Sequence, residues 1–550
     1  MALVALMALG VLFAQRPRTV TVQVIAINDL HGNLEPPAGT DGLVGNVLAG
    51  GVEYLATHIH NAIRENPNSI FVGAGDFMGA SPLLSSLFHD SPTVEAMNAM
   101  NLAVSALGNH ELDHGSTELL ARIRGGCLHS GCKDDEKAIP VKYQYLAANV
   151  LTDSGKPLFP ATAIRTIGGV KVGFIGVTLR NMVSMIGPKA ARGMRFLDES
   201  EAANTAASAL ERQGVHSIVL LIHEGGRQNQ AAASGDGEPR PLGDPNACVN
   251  FDGPIAGIVK KLSPSIKVVA SAHTHTFFKC EIDGHLVTSA GSFGRLVTRV
   301  NLTIDAATDR LIGVAANNET VAHDVPKDPA MTAILDKYRP GAARLADRPV
   351  GSITQEMTRI ANPAGESAVG DVVADADLEG SASAGSGGAV IAFENSGGVR
   401  ANLTGQPGAN GPRTISYADV YAVQPFGNRL MVISMTGDMI RRVLEQQFAH
   451  GRFNVLQVSS GFSYRYRRNA PEGEHIVPGS IALHERPIGM GETVRVEVLD
   501  FLVTGGSGFS VFAEGTNPVT GPIDVDALVD YAAKHSPIAP GPRNRIMRVD

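Results

Sequence analysis

The sequence has few cysteines, no long apolar run and no excess of basic residues, and each shortage excludes a class of protein. No stretch of its 550 residues reaches the ~20 consecutive apolar residues that a membrane-spanning helix requires. The formal net charge is −8, whereas a general nucleic-acid-binding protein normally carries a basic face. A small anionic substrate is compatible with this charge, because a metal ion or a few arginines reverse its sign locally. We therefore expect no stable membrane span and no nucleic-acid polymer as partner.

The four cysteines fall into two local groups, Cys127 with Cys132 and Cys248 with Cys280. Four cysteines allow three pairings, and the grouping favours these two disulfides. Neither group has the C-x-x-C spacing of a zinc knuckle, and buried free thiols in a cytosolic protein are the other alternative. Disulfides would indicate an oxidising compartment.

The first residues, MALVALMALGVLFAQ, resemble the apolar region of a secretory signal peptide. The apolar segment from Ala2 to Ala14 is too short to span a membrane, and no Lys or Arg precedes it, so the pattern is incomplete. A hydrophobic first helix is the alternative. We expect a leader over residues 1–17 and a periplasmic or secreted protein.

One arrangement recurs between about Val20 and Thr320: a short apolar run is followed directly by polar residues that can bind metals. Such runs predict buried strands, and the segments between them have helical spacing. The runs are TVQVIAI before Asp29 and His31, SIFVGAG before Asp76, AVSALG before Asn109 and His110, SIVLLI before His223, and IKVVASA before His273 and His275. This is an α/β layout, in which ligands bind beyond the carboxyl ends of the strands.

The length alone predicts roughly two to four domains. A polar segment bearing Pro and Gly, with a helical stretch inside it, predicts a linker helix at 324–348. The part before it, 18–323, carries the metal-binding pattern. The part after it, 349–550, is richer in Gly loops mixed with short strands.

Each polar residue at these strand ends, taken alone, is better explained as a turn former or a hydrogen-bonded loop residue. Independent loops, however, give no reason for such groups to follow five successive strands. Mixed carboxylate and imidazole donors suit Zn²⁺, Mn²⁺ or Fe²⁺ better than Ca²⁺. The set supplies ligands for two divalent ions, which together can hold a hydroxide and clamp a phosphate oxygen during in-line displacement. A structural zinc site fits poorly, because such sites are usually closed and rich in Cys.

The stretch GNHELDHG adds an acid–base pair to this donor set. Asn109 supplies a neutral oxygen ligand, and we expect its neighbour His110 to face the substrate. Asp113 is placed to hold the other imidazole nitrogen and to keep His110 protonated. A protonated His110 would stabilise charge on the phosphoryl oxygens or on the leaving group. We expect Glu111 and His114 to be framework or solvent-facing residues.

The motifs NDLHG, GDF, GNHELDHG, IHEGG and AHTH resemble those of the 5′-nucleotidase family, and the resemblance covers nearly the whole chain after the leader. This family includes UDP-sugar hydrolases and 2′,3′-cyclic-nucleotide phosphodiesterases. The resemblance implies a four-layer α/β/β/α metallophosphoesterase domain, then a smaller α/β domain that binds the nucleotide and rotates about the linker. It implies that one ion is held by Asp29, His31, Asp76 and His275, and the other by Asp76, Asn109, His223 and His273.

The second part of the chain carries the residues that the resemblance assigns to the nucleotide. FENSGGVR resembles the family's phosphate-binding segment, which implies phosphate contacts from Asn395 and Arg400. A tight Gly turn before an arginine suits bidentate phosphate binding, although a plain Gly-rich turn is the better explanation of this motif standing alone. Arg359 is the candidate for a further arginine that the family uses.

Phe426 in PFGN and Phe501 in DFLVTGGSGF match the family's base-stacking phenylalanines, and Asn428 matches a position that contacts base or sugar in some members. Outside this context each Phe would be assigned to the core. TGGSGF departs from the family's TGGDGF, since Ser507 replaces an aspartate expected to hold the ribose hydroxyls. A hydroxyl cannot accept from both hydroxyls of a diol as a carboxylate does, so we expect weaker ribose recognition.

The sequence thus predicts an exported two-metal phosphohydrolase that releases phosphate from nucleoside 5′-monophosphates. Nucleotide sugars, nucleoside di- and triphosphates and 2′,3′-cyclic nucleotides are further candidate substrates. One alternative is a thiosulfohydrolase-like sulfur-ester hydrolase of the same superfamily, for which two stacking phenylalanines would serve no purpose. Another is a non-catalytic nucleotide-binding protein, which would be expected to have lost some of the seven ligands.

Overall fold

The computed structural model describes residues 19–128, 132, 137–228, 244–409 and 411–550. The leader predicted over residues 1–17 lies outside the described residues. Within the described ranges, no helix is both long enough and apolar enough to cross a membrane.

Two six-stranded sheets form the centre of the first part of the chain. The strand order of the first sheet is Arg310–Thr320, Leu296–Asp305, Thr19–Ile27, Ser69–Gly73, Val104–Ala106 and Gln144–Leu146. The strand order of the second sheet is Phe277–Ile282, His285–Ala290, Ile266–Ser271, Ile218–His223, Val170–Thr178 and Thr162–Ile167. Strands bearing the predicted ligands pair in parallel, and they are buried on both faces, which explains their nearly continuous apolar sequences.

The two sheets pack face to face around a shared apolar core. Val22 and Val24 of the first sheet meet Phe174 and Val219 of the second. Helices cover the outer face of each sheet and bury their apolar residues against it. Those on the first sheet are Val52–Glu65, Leu83–Ser86, Ser91–Ala99, Gly115–Ile123 and Met182–Ala190, and those on the second are Glu199–Arg212 and Pro254–Val259. The four-layer α/β/β/α prediction is confirmed.

A helix, Pro329–Ala346, connects the two parts of the chain and lies within the predicted linker at 324–348. Asp328 caps it by accepting hydrogen bonds from two backbone N–H groups of the first turn, and a proline occupies the first helical position. Met331 is buried in the core of the first part, while the helix also contacts Tyr417–Val423 of the second part.

The second part is built on a mixed five-stranded sheet with its own core. The strand order is Leu456–Val458, Ile391–Asn395, Thr493–Leu499, Arg429–Thr436 and Thr516–Ile523. A four-stranded sheet contains Arg486–Pro487, Ala482–Leu483, Phe462–Tyr466 and Ile546–Arg548. The helices are Ala368–Ser381, Tyr417–Val423, Gly437–Gln446, Asp500–Val503 and Asp524–His535. The expectation of a second α/β unit is confirmed.

Short elements complete the described structure. Three two-stranded sheets pair Leu43–Val44 with Val47–Leu48, Val150–Thr152 with Met194–Phe196, and Pro349–Ile353 with Arg413–Ser416. The 3-10 helices are Gly39–Gly42, His110–Leu112, Ala384–Ser386, Ala449–Gly451, Gly506–Gly508 and Ser510–Glu514.

Both predicted disulfides are present. They join Cys127 to Cys132 and Cys248 to Cys280, so all four cysteines are paired. The alternatives of free thiols and a zinc knuckle are therefore wrong.

Candidate metal centre and active site

The polar side chains that follow five strands converge at one end of the two-sheet sandwich. Asp76 Oδ2 lies 3.0 Å from His223 Nε2 and 3.6 Å from His31 Nε2. Asn109 Oδ1 lies 3.1 Å from His223 Nε2 and 3.0 Å from His273 Nδ1. Asp76 therefore stands between two groups of donors, which is the position of a bridging ligand.

The second group of donors surrounds His31 and His275. Their Nε2 atoms are 3.0 Å apart, and Asp29 Oδ1 lies 3.5 Å from His275 Nε2 and 3.9 Å from His31 Nε2. In the described part of the chain, the clusters whose atoms are close enough to share an ion are Asp29–His31–His275, His31–Asp76–His110 and Asp76–His223–His273. All seven predicted metal-binding residues thus lie together.

The hydrogen bond of His31 shows that this donor set fits a cation. His31 Nδ1 lies 2.9 Å from the carbonyl oxygen of Gly79, so in the neutral ring Nδ1 donates and Nε2 carries the lone pair. Burial, followed by the nearby Arg400 guanidinium, holds the pKa of His31 well below its usual range. Burial and the neighbouring His31 lower the pKa of His275 in the same way. Two neutral imidazoles face each other here, as ligands of a shared metal would.

The hydrogen bonds of His223, which also lies beside Asp76, likewise indicate that the donor set fits a cation. Its Nδ1 lies 2.8 Å from the carbonyl oxygen of Ala74, which leaves Nε2 directed at the oxygens of Asp76 and Asn109. Burial opposes charge on this ring, but the Asp76 carboxylate outweighs it and raises the pKa of His223 to about 10. Positive charge is therefore strongly favoured at this point, and either a proton or a metal ion can supply it.

The backbone at these residues is held in an unusual conformation. Five of the predicted ligands have positive φ angles, a region that residues other than glycine seldom occupy. They are Asp29 (φ 50°), His31 (46°), Asp76 (55°), His273 (72°) and His275 (57°). Such strain costs free energy and persists where the surrounding structure enforces it, which happens most often at functional sites.

Glu111 supports the donor set from beneath, a specific role that the sequence did not reveal. It was expected to be framework or solvent-facing, and the structure shows it buried. Its Oε2 accepts hydrogen bonds from Asp76 N at 3.0 Å and Gly108 N at 2.9 Å, and its Oε1 accepts from Phe77 N at 2.8 Å. Burial, reinforced by the Asp76 charge, raises the pKa of Glu111 to about 7. This one carboxyl therefore ties together the loops of two ligands.

Asn28 and Phe293 are two further residues whose roles the sequence did not indicate. Asn28 Nδ2 donates to Asp29 Oδ2 at 2.6 Å and so orients that carboxylate, whose pKa burial raises to about 7. The Phe293 ring packs edge-on against His275, with centroids 5.5 Å apart. Phe293 has a φ of 63° in the turn after the strand His285–Ala290, another strand end that joins the site.

His110 and Asp113 form the expected pair beside the metal donors. His110 Nδ1 lies 2.8 Å from Asp113 Oδ2. Burial lowers the pKa of His110, but the carboxylates of Asp113 and Asp76 outweigh this effect and hold it above its ordinary value. The Phe426 ring lies roughly parallel to the imidazole, at 5.8 Å and 22°. The imidazole of His110, with its protonated form favoured by these carboxylates, therefore faces the space between the two parts of the chain.

The second part of the chain supplies a half-buried cation to the same place. Arg400 Nη2 lies 3.3 Å from His31 Nε2, and its guanidinium carbon is 5.9 Å from the centre of the Phe426 ring. Burial lowers the pKa of Arg400 to about 10, which leaves it charged at neutral pH. Arg359 lies nearby, 5.9 Å from the centre of the Phe293 ring, and its Nη2 is 3.6 Å from Asp41 Oδ1.

Within the described residues, the other predicted substrate residues form no hydrogen bond or ion pair with the metal donors. Asn395 is buried at the end of its strand, and its Oδ1 has no hydrogen-bond partner. The backbone N–H and side chain of Asn428 both donate to Asp524. Phe501 packs against Gly506, and Ser507 has a φ of 53° in the same loop. Among the described aromatic rings, no contact joins Phe501 to Phe426.

Two cavities lie between the parts of the chain. The first, of about 190 Å³, is lined by His110, Asp113 and Phe426. The second, of about 220 Å³, is lined by Phe293 and Arg400. The site therefore combines metal donors, the His110 imidazole and a guanidinium beside two cavities.

Comparison with known proteins gives this arrangement a family. The family model described as 5′-nucleotidase, C-terminal domain, matches residues 349–514. The chain is also 25% identical over 590 aligned residues to the NAD 5′-nucleotidase of Haemophilus influenzae, covering 95% of this chain and 91% of that protein. The segment 349–514 belongs to the 5′-nucleotidase family. Members of this family are metal-dependent phosphoric monoester hydrolases.

Two other proteins similar to this chain are not named 5′-nucleotidases. Endonuclease YhcR of Bacillus subtilis is 30% identical, and the aligned region covers 96% of this chain but 41% of YhcR. Cell wall protein Lmo0130 of Listeria monocytogenes is 29% identical, covering 93% of this chain and 67% of Lmo0130. The chain thus spans less than half the length of the first of these relatives.

Solved structures show the same fold. A 5′-nucleotidase precursor from Thermus thermophilus superposes with a TM-score of 0.78 at 24% identity, covering 96% of this chain and 100% of the other. The sulfate thiohydrolase SoxB of Thermus thermophilus superposes with a TM-score of 0.74 at 16% identity, covering 96% of each chain. The fold is therefore shared by proteins with different substrates and does not by itself select between them.

Proposed function

We propose that this chain is an exported phosphohydrolase that releases inorganic phosphate from nucleoside 5′-monophosphates. The observation that carries the proposal is the close approach of Arg400 to the metal donors, 3.3 Å from His31. With divalent ions held by these carboxylates and imidazoles, a phosphate would lie between two positive charges, that of the ions and that of the guanidinium.

One divalent ion would be held by Asp29, His31, Asp76 and His275, and a second by Asp76, Asn109, His223 and His273. Zn²⁺ and Mn²⁺ suit these mixed donors. When bound, such ions lower the pKa of water and neutralise phosphoryl charge.

The protein's own residues supply the remaining steps. Arg400 binds the phosphoryl oxygens, and Arg359 adds a second positive charge to the same side of the cleft. His110 donates its Nε2 proton to the leaving oxygen, while Asp113, 2.8 Å from Nδ1, keeps the ring charged and oriented. Asn395 contacts the phosphate beside Arg400.

The nucleoside would be bound by the second part of the chain. Phe426 and Phe501 stack on the base, Asn428 contacts the base or sugar, and Ser507 gives weaker ribose selection than an aspartate would. We propose a catalytic domain at 18–323, a linker helix at 324–348 and a nucleotide-binding domain at 349–550. Stacking tolerates any base, so nucleotide sugars, di- and triphosphates and 2′,3′-cyclic nucleotides are additional candidate substrates.

Two observations support export to the periplasm or the exterior. Both disulfides are of a kind that persists in oxidising compartments. One relative is named a cell wall protein.

The test is phosphate release by the purified chain before and after EDTA, and again after adding Mn²⁺ or Zn²⁺. The substrates are AMP, dAMP, UDP-glucose, 2′,3′-cyclic AMP, a thiosulfate ester and a single-stranded oligonucleotide. Metal-dependent hydrolysis of AMP is expected, with an AMP to dAMP ratio near one. Hydrolysis of the thiosulfate ester alone would replace the proposal with the sulfur-ester function, and cleavage of the oligonucleotide alone would replace it with a nuclease. Nucleotide binding without hydrolysis of any substrate would indicate a non-catalytic protein.

A further inference from the structure

Three acidic side chains meet in the interior of the second part of the chain. Asp377, Glu394 and Glu497 are each 0% exposed. Glu497 pairs with Ala392 across two parallel strands, so Glu394, two residues along, points to the same face of the sheet. Asp377 belongs to the helix Ala368–Ser381, which contacts both strands. The fold therefore brings these carboxyl groups together in its core.

Little in the described surroundings compensates an ionised carboxylate there, since the donor nearest to the cluster is the neutral amide of Gln424 beside Asp377. Both oxygens of each of these three side chains lack a hydrogen-bond partner. So do both amide atoms of Gln424, which is 1% exposed and lies beside Asp377. An ionised carboxylate buried without donors or a cation carries a large free-energy cost, so these groups are neutral acids in the folded chain.

The charged groups around the cluster are directed elsewhere. Arg495, on the same face as Glu497, donates instead to the carbonyl oxygens of Gly387 and Val432 and to Ser434 Oγ. Among the described residues, the charges that act on the three carboxyls are those of one another and of Asp524. The remaining charged or titratable acidic and basic groups on neighbouring elements are Asp371, Asp375, Glu379, Arg429, Asp500, Asp526, Asp530, Lys534 and His535. Burial and mutual repulsion raise the pKa values of the three well above the usual range.

The cluster lies directly beneath the phosphate-binding turn. Glu394 Oε1 occupies the space beside Gly398, where an added Cβ would lie 1.9 Å from that oxygen. Gly398 belongs to the turn Ser396–Arg400, which carries the guanidinium to the metal donors. Movement of the Glu394 carboxyl therefore moves the turn.

Asp524, whose charge acts on the cluster, supports the second nucleotide segment, Phe426–Asn428. Asp524 Oδ2 accepts from Asn428 N at 3.1 Å and from Asn428 Nδ2 at 3.2 Å, and Asp524 N donates to Asn428 O at 2.9 Å. Burial raises the pKa of Asp524 to about 7. The two segments assigned to the nucleotide thus each rest on a buried acid.

We propose that Glu394 is a positioning residue, and that the acid cluster it forms with Asp377 and Glu497 holds the glycine turn only while it is neutral. Ionisation at alkaline pH places like charges together in a region of low dielectric, and their repulsion displaces the glycine turn. This inference rests on the proposed function, because it assigns that turn to the nucleotide.

The test uses Glu394→Gln and Glu497→Gln, since an amide has the shape of the neutral acid and cannot ionise. A folded-state pKa above the unfolded value means that the wild type loses stability as pH rises from about 4 through the folded pKa. The amide variants lack this loss, so between about pH 6 and 9 their melting temperature should fall by several degrees less than that of the wild type. At the alkaline pH where the wild-type cluster ionises, the KM for AMP should rise about fivefold in the wild type and less than about twofold in the variants. The pH dependence of kcat should be the same in the wild type and the variants.

Glu379→Gln is the matched control. It lies on the same helix as Asp377, but it is partly exposed and pairs with Lys534 at 2.7 Å. It should follow the wild type at every pH.

Other outcomes contradict the inference in recognisable ways. Variants that are destabilised equally at every pH, with the wild-type KM profile, would show a purely structural role. Ca²⁺ that raises the melting temperature of the wild type but not of the variants would show a charged, cation-binding cluster. If the wild type neither binds nor hydrolyses AMP at any pH, the proposed function itself fails, while the melting curves still report whether the cluster is neutral.

Discussion

Replacing Glu111 by glutamine should damage both stability and activity, although the side chain contacts no substrate. Its two oxygens accept three backbone hydrogen bonds, at 3.0, 2.9 and 2.8 Å. A glutamine keeps one oxygen and presents an NH₂ group to at least one backbone N–H. One hydrogen bond to a charged group contributes about 1.5–3 kcal/mol to stability. The glutamine loses at least one such bond, and its remaining bonds are accepted by a neutral amide, so the free energy of unfolding should fall by about 3 kcal/mol.

The assays are urea unfolding and metal-dependent hydrolysis of AMP. Because Glu111 fixes the loops of Asp76 and Asn109, kcat/KM should fall about 10- to 100-fold. Glu65→Gln, which removes an exposed partner of Arg299, is the control and should change the free energy of unfolding by less than about 1 kcal/mol. A Glu111→Gln variant with the wild-type urea midpoint and full activity would refute this reasoning.

Three further predictions follow from single contacts. Arg400→Ala should lower kcat/KM for AMP about 100-fold while the metal content measured by mass spectrometry stays unchanged, because the guanidinium acts on the phosphate; loss of the metal instead would show that Arg400 serves the donors. Changing Cys248 and Cys280 together to serine opens a loop closed across 32 residues and should lower the free energy of unfolding in urea by about 3–4 kcal/mol; an unchanged urea midpoint would contradict this. Burial raises the pKa of Asp371 to about 8, so the wild type should lose stability as pH rises from about 4 to about 8. The melting temperature of Asp371→Asn should therefore rise relative to that of the wild type over this range. Plots of melting temperature against pH that run parallel for the two proteins would show that Asp371 is already ionised.

The strand ends of the first part could be predicted because their signal is local. Each apolar run is short and is followed at once by a polar residue, so Asp76 and His223 stand out in the sequence. The strand Ile218–His223 ends at His223, and the strand Ser69–Gly73 ends three residues before Asp76. Parallel strands then bring their carboxyl ends to one edge, which is why separate motifs form one site.

The roles of Glu111 and Glu394 could not be predicted because they depend on long-range contacts. Glu111 is one of several acidic residues in its stretch, and only the approach of the Asp76 loop gives it backbone donors. Glu394 lies between apolar residues and a Gly turn, where an acidic residue is compatible with a solvent-facing position. Its burial depends on Asp377 and Glu497, which are 17 and 103 positions away in the sequence.

The position of Phe426 over His110 depends on how the two parts of the chain meet. No pattern within either part specifies that stacking. Asn402 N donates to Asp41 Oδ2 at 3.0 Å and Thr40 N donates to Glu356 Oε1 at 3.1 Å, so these contacts hold the two parts together. Residues at such a junction carry no periodic signal.

The most direct measurement is the number of divalent metal ions bound per chain. The protein would be stripped with EDTA, reloaded with Zn²⁺ or Mn²⁺, dialysed and analysed by inductively coupled plasma mass spectrometry. Two ions per chain are expected in the wild type, and at most one in Asp76→Asn, because the bridging carboxylate serves both positions. A wild type that binds one ion or none, or an Asp76→Asn variant that keeps two, would contradict the two-metal centre.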